Sequence, residues 1–360
     1  MPKMRPIAGE LMSGSSGNST HLRIGIIGAG AIGGWLGACL ADAGHTVSLV
    51  ARGRHLDRIR ERGLRVHTGG RTIEKALRAS DRPRDLGVQD YVLLTVKQTT
   101  LAETAPSVAP MIGPATTIVS LSNGVPWWFF DGLPGPYAGH RIDAVDPDGT
   151  IACSLPQSQV IGGVVNASAS IVEPGVIDHA SGGLVSLGEI VHCPTAAPAP
   201  APASGYSPSG SGPDRVARLA GALRDAGIRC EPATDIRVAV WSKLMGNLCF
   251  NTVGTLAGCT TDRLIDDADT HRLVVDMMTE AQELGRALGL AIDVDIEQRI
   301  AATRKLGRIK SSMLQDTEAG KPIEFNAIIG AVVELADRVG LAIPRVRTIH
   351  AVLKLKAAQH

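Results

Sequence analysis

Lys243, Asn247 and Asn251 recur at intervals of four in the run WSKLMGNLCFNTVG. On an α-helix that spacing puts all three on one stripe. Leu244, Leu248 and Val253 lie on other faces, and Gly246 leaves room beside the stripe. An ammonium next to two carboxamides, in apolar surroundings, can hold a carbonyl oxygen and give it a proton. Reduction of a 2-oxo acid needs this. Hydride reaches the carbon, and a cation stabilises and then protonates the growing alkoxide. The spacing suits a solvated helix face with an ordinary lysine as well, so the stripe alone leaves both readings open. Ser311-Ser312 and Glu324 are further polar residues in helical, apolar surroundings.

A second set of residues has the types and spacing of a dinucleotide cradle. Ile24 to Ile27 is a short apolar run that suits a buried parallel strand. Gly28, Gly30 and Gly33 follow it as G-x-G-x-x-G, enclosing Ala29, Ala31 and Ile32. Trp35, Leu36, Cys39 and Leu40 then recur at helical spacing. The first glycine permits the tight turn, the second lets backbone approach a diphosphate, and the third lets helix and strand pack closely. The helix N-terminus adds unpaired N–H groups and the positive end of its dipole. The next strand, Thr46 to Val50, ends in Ala51-Arg52-Gly53-Arg54. NAD-preferring folds usually carry an acid at this point, to accept from the ribose 2′-hydroxyl. Here the nearest acid, Asp57, comes after the turn, and two arginines precede it. Guanidinium pairs well with a 2′-phosphate, which predicts NADP(H).

These residues need a scaffold. Strand and helix patterns alternate from Leu22 to about Gly113, as a Rossmann-type doubly wound parallel sheet requires. Tyr91 to Val96 and Thr117 to Leu121 read as buried strands. Lys97 and Asn123-Gly124 stand at their carboxyl ends, where open parallel sheets bind ligands. A surface lysine and a plain Asn-Gly turn explain those two residues equally well. Val160 to Glu189, broken at Pro174-Gly175, predicts antiparallel closing strands. The text after it turns helical, over 215–226, 236–258, 270–290, 295–305 and 323–339, with a last helix from Pro344. The division expected is a disordered leader over 1–21, a dinucleotide-binding domain over 22–192, a Pro/Ala/Ser/Gly-rich linker over 193–213 and an all-helical domain over 214–360.

Composition narrows the function class. A chain of 360 residues that is 44% hydrophobic and 20% charged can bury a sizeable core. A net charge of +1 gives no reason to expect nucleic acid or an anionic membrane as partner. The six cysteines show no C-x-x-C and no metal spacing, as expected of buried thiols in a reducing, cytoplasmic setting. Ile24 to Ala41 carries no charge, yet its glycines argue against a membrane span.

The ordered motifs GAGAIG, LTVKQ, LSNG, EPGVIDH, WSKLMGNLCFN, SSMLQD and IEFNAIIG together resemble the ketopantoate reductase family, the 2-dehydropantoate 2-reductases. The likeness runs from about Leu22 to His360. It implies a cytoplasmic NADPH-dependent enzyme of pantothenate biosynthesis, with a small 2-oxo acid as substrate and a homodimer among the assemblies open to it. Lys243 matches the proton donor. Asn247, Asn251 and Ser312 match substrate-binding positions. Lys97, Asn123 and Glu324 match positions near the nicotinamide, and Arg52 the 2′-phosphate contact.

The chain also departs from the pattern. Thr261 stands where some members carry a further asparagine, and Asn326-Ala327 where Asp-Tyr is usual. Trp127-Trp128-Phe129-Phe130 puts four aromatics together in a chain only 3% aromatic, and an insertion-like stretch over 132–150 follows. The run is either a hydrophobic plug between domains or subunits, or a reshaped substrate pocket. A bulkier or aromatic 2-oxo acid is therefore one rival substrate, and a non-catalytic NADPH-binding sensor a second rival reading.

Overall fold

The computed structural model describes residues 21–133, 135–190 and 214–358. The leader expected over 1–21, save His21, and the linker over 193–213 lie outside the described residues.

Ten strands form one sheet among the described residues. In chain order they are β1 (Arg23–Ile27), β2 (Thr46–Val50), β3 (Leu64–Thr68), β4 (Arg71–Lys75), β5 (Arg78–Ser80), β6 (Tyr91–Leu94), β7 (Thr117–Ser120), β8 (Val160–Glu173), β9 (Val176–Glu189) and β10 (Arg229–Pro232). Their order across the sheet is β4-β3-β9-β8-β7-β6-β1-β2-β5, with β10 on β9. Pairs are parallel from β8 through to β5, while β8/β9 and β3/β4 are antiparallel. The doubly wound α/β domain expected from the alternating pattern is thus present, with Pro174-Gly175 turning the closing hairpin.

Alternation along β1 divides the core, as a strand's period of two requires. Ile24 and Ile26 face the helices Ala31–Asp42 and Asp214–Asp225, where Leu36, Leu40, Leu219 and Leu223 are buried. Ile27 faces the opposite way, into a core that continues without a break to Trp241, Leu248, Met277 and Leu335 of the helical half.

Residues 214–232 pack with the sheet rather than with the helical domain predicted to start at 214. The helix Asp214–Asp225 belongs to the first core, Tyr91 Oη donates to Arg215 O at 2.8 Å, and β10 extends β9 in parallel. Amphipathic spacing identifies a helix but not the surface it will cover. The remaining helices follow from Asp235, whose side chain caps Ile236–Gly246 by accepting from Arg237 N at 2.9 Å. Asp267, Asp295 and Ser311 cap Ala268–Ala287, Ile296–Arg304 and Ser312–Glu318 in the same way.

Candidate active site

The turn after β1 is built as its glycines suggest. Gly28 has φ +98°, and the N–H groups of Gly28 and Ala29 donate to Val50 O at 3.1 and 2.9 Å. A Cβ on Gly33 would stand 2.2 Å from Gly28 O and 2.4 Å from Thr95 Oγ1, so helix and strand touch there. A Cβ on Gly30 would meet nothing within 4 Å. The front of the turn is therefore open, and the helix begins at Ala31 and Ile32 with no side-chain cap on its N–H groups. That cradle fits a dinucleotide diphosphate. Arg52 follows β2 with its side chain 62% exposed, only loosely paired with Glu103 at 3.5 Å. Arg54, two residues on, is exposed as well.

At the carboxyl ends of β6 and β7 the two halves of the molecule meet. Gly124 has φ +85° and packs so closely on the helical half that a Cβ would lie 2.4 Å from Ala327 O. Val125 N donates to that same carbonyl at 2.8 Å. Ala327 lies in a π-helical turn, Asn326–Gly330, just after Glu324. A second π turn, Asn247–Asn251, interrupts the lysine helix. Such turns are rare and concentrate at functional sites. The second has a geometric use. An α-helix drifts by about 40° for each step of four residues. The wider π turn opposes that drift and keeps Asn251 close to the stripe of Lys243 and Asn247.

Lys243 is the centre of the cluster. Its Nζ donates to Asn123 Oδ1 at 2.8 Å and to Val165 O at 2.6 Å. Asn123 Nδ2 donates to Glu324 Oε2 at 3.2 Å, and Gln98 N donates to Glu324 Oε1 at 3.2 Å. A small pocket opens beside this chain, lined by Ser122, Asn123, Gly124, Lys243 and Asn247 with apolar neighbours. Burial pushes the Lys243 ammonium down to about 8, and the Glu324 carboxylate partly opposes that shift. An ammonium has three donors, and two are committed to the protein. The third is available to a carbonyl oxygen in the pocket.

Not every expected site residue lines this pocket. Asn251 is buried on the π turn and Ser312 is exposed at the start of Ser312–Glu318; neither lines the pocket itself. Lys97 does not stand alone, since Asp316 of that same helix holds its Nζ at 2.6 Å. The room beside Gly246 is taken by Arg299, which donates to Ser242 Oγ at 3.1 Å. Sequence reasoning missed the Val165 carbonyl and the Gln98 N–H, because backbone groups leave no mark in residue types. Asp316 sits in the SSMLQD run and was legible there only as part of a motif.

Two family profiles match the chain. The profile described as ketopantoate reductase PanE/ApbA covers residues 24–192, and the one described as its C terminal covers 235–357. The 2-dehydropantoate 2-reductase of Mesorhizobium japonicum is 41% identical over 335 residues, 93% of this chain and 96% of its own. The crystal structure of a candidate ketopantoate reductase from Ralstonia solanacearum MolK2 is 39% identical, with TM-score 0.83 over 94% of this chain and 99% of its own. The ternary structure of D-mandelate dehydrogenase with NADH and anilino(oxo)acetate, 21% identical, shares the fold at TM-score 0.75 over 93% of this chain and 98% of its own. Matched along both halves, the chain belongs to the ketopantoate reductase family.

Proposed function

We propose that this protein reduces 2-dehydropantoate to pantoate, with NADPH as cofactor and Lys243 as proton donor. The observation that carries the reading is the Lys243 ammonium, half-buried, fixed by Asn123 and the Val165 carbonyl, and part of the pocket lining. When bound, the nicotinamide supplies a hydride to the carbonyl carbon. Lys243 meets the charge that grows on the oxygen and then gives up its proton. The donor is in place beforehand, so little reorganisation is required as the alkoxide forms. Glu324 accepts from Asn123, which orients the Asn123 oxygen toward Lys243. Asn247, supported by Asn251 and Ser312, holds the substrate carboxylate and hydroxyl. No helix among the described residues is long and apolar enough to cross a membrane. On the likeness to the 2-dehydropantoate 2-reductases we place its work in the cytoplasm.

The test is NADPH oxidation across a panel of 2-oxo acids. 2-Dehydropantoate should give the highest kcat/KM. A clear lead for an aromatic acid such as phenylglyoxylate would overturn the substrate assignment. The Trp127–Phe130 run is buried and is not part of the lining of the small pocket beside Lys243, which supports the smaller substrate.

The cofactor has its own test. Arg52→Ala removes a guanidinium at the end of β2 and should weaken NADPH by roughly 1.5–3 kcal/mol while sparing NADH. Equal losses for the two nucleotides in a binding titration would show that Arg52 does not read the 2′-phosphate.

A further inference from the structure

We infer that His55 is a positioning residue for the glycine turn, locking the Ala29–Gly30 peptide so that the Gly30 N–H faces the dinucleotide's diphosphate. The inference rests on the NADPH reading above and adds a residue to it. His55 lies in the helix Gly53–Arg62, three residues after Arg52, and is half-buried. Its Nε2 stands 2.8 Å from Ala29 O, and Gly175 N is 3.0 Å from its Nδ1.

The two contacts fix the ring's protonation. A backbone N–H can only donate, so Nδ1 must be the bare nitrogen. A carbonyl oxygen can only accept, so Nε2 must carry the proton. Neutral imidazole has one of each, and only one tautomer satisfies both partners. Burial holds the ring below its ordinary pKa and favours this neutral form, against a smaller opposing effect of the Ala29 bond.

The consequence passes through one peptide plane. In a planar trans peptide the carbonyl and the following N–H point in opposite directions. His55 draws the Ala29 carbonyl to its own side. The Gly30 N–H must then point away from His55. A Cβ on Gly30 would meet nothing within 4 Å, so the turn is open at this residue. Ala29 N is already tied to Val50 O at 2.9 Å, and the His55 bond removes the remaining freedom of the turn.

The other end of the brace is anchored too. Gly175, at φ +83°, is the turn of the β8/β9 hairpin, and its carbonyl accepts from Arg65 N at 2.9 Å. The EPGVIDH segment thereby gains a task that its sequence position hides: its turn sets the tautomer of the residue that holds the phosphate loop.

The experiment compares His55→Leu and His55→Gln with wild type. It reads Kd for NADPH and NADH by fluorescence titration, then kcat and the oxo-acid KM at saturating NADPH. Leucine fills the space without either bond. Glutamine can donate to Ala29 O and accept from Gly175 N through its amide. The leucine variant should weaken both nucleotides by one common factor, roughly tenfold for lost hydrogen bonding. Its kcat and oxo-acid KM should hold, and glutamine should restore most of the affinity. The common factor separates this effect from Arg52→Ala, which discriminates between the nucleotides. Wild-type affinity in the leucine variant would overturn the inference. So would a joint fall of affinity, kcat and melting temperature that glutamine fails to rescue. Failure of the wild-type protein to bind either nucleotide would instead overturn the cofactor reading, and this inference with it.

Discussion

Lys243→Ala should lower kcat by about 10²–10⁴-fold, the usual worth of a positioned general acid. Affinity for NADPH should survive, because the glycine turn and Arg52 follow β1 and β2 in the sheet half and not on the lysine helix. The pH profile provides a second, independent signature. The ammonium is the acid, so the active form is lost as pH rises. In solution that loss would centre near the ordinary lysine value of 10.5, but burial brings it to about 8. Wild-type kcat/KM should therefore decline above about pH 8, and that alkaline limb should be absent from the alanine variant. Glu324 works in the opposite direction to burial, since its carboxylate favours the charged lysine. Glu324→Gln should accordingly move the limb to lower pH. Near-wild-type kcat in the alanine variant, or an alkaline limb that persists in it, would assign proton donation to another residue.

The glycine turn and the lysine stripe were both legible because each is a local pattern whose spacing encodes geometry. Three glycines in six residues say which peptide is open and which is crowded, and Gly30 and Gly33 divide those roles as their positions predict. The chain from Lys243 to Asn123 to Glu324 was not legible as a chain. Its members are 120 and 201 residues apart, and only folding brings them together. The π turns were hidden for another reason. NLCFN and NAIIG read as ordinary helix, and no residue type in either marks a widened turn. Strands β3, β4, β5 and β10 escaped because each is short and carries arginine, lysine or proline. Polar residues of that kind are tolerated on strands with one exposed face, and they erase the apolar run that marks a buried strand. The helix over 214–225 is legible as a helix, but its apolar stripe does not say that it covers the sheet.

The aromatic run is the other place where the sequence leaves two readings, and its burial supports the plug between the halves. Trp128, Phe129 and Phe130 are 1%, 0% and 0% exposed. Phe129 packs on Trp241 with centroids 5.7 Å apart, and Phe130 meets Tyr137 at 5.9 Å. Trp128 lies over Gly162 of β8, where a Cβ would come within 2.6 Å of the ring. Arg237, fully buried, spans the run: its Nε donates to Phe129 O at 2.7 Å, its Nη2 reaches Asp131 O and Ile190 O, and its Cζ sits 5.9 Å from the Trp128 ring. Sheet, run and lysine helix thus share one core, and the run is the material between the halves. Phe129→Ala should cost about 3–5 kcal/mol of unfolding free energy, the range for deleting a buried phenyl ring. Trp241 is two residues before Lys243, so loosening it should lower kcat for every 2-oxo acid by a common factor. The ranking of substrates by kcat/KM should stay as in wild type. Phe129→Leu, which keeps most of the volume, should lie between the two in both stability and rate. Denaturant unfolding and the 2-oxo acid panel, run on the same preparations, check both halves of this expectation. A variant that keeps wild-type stability but reorders its substrates would return the aromatic run to the pocket wall.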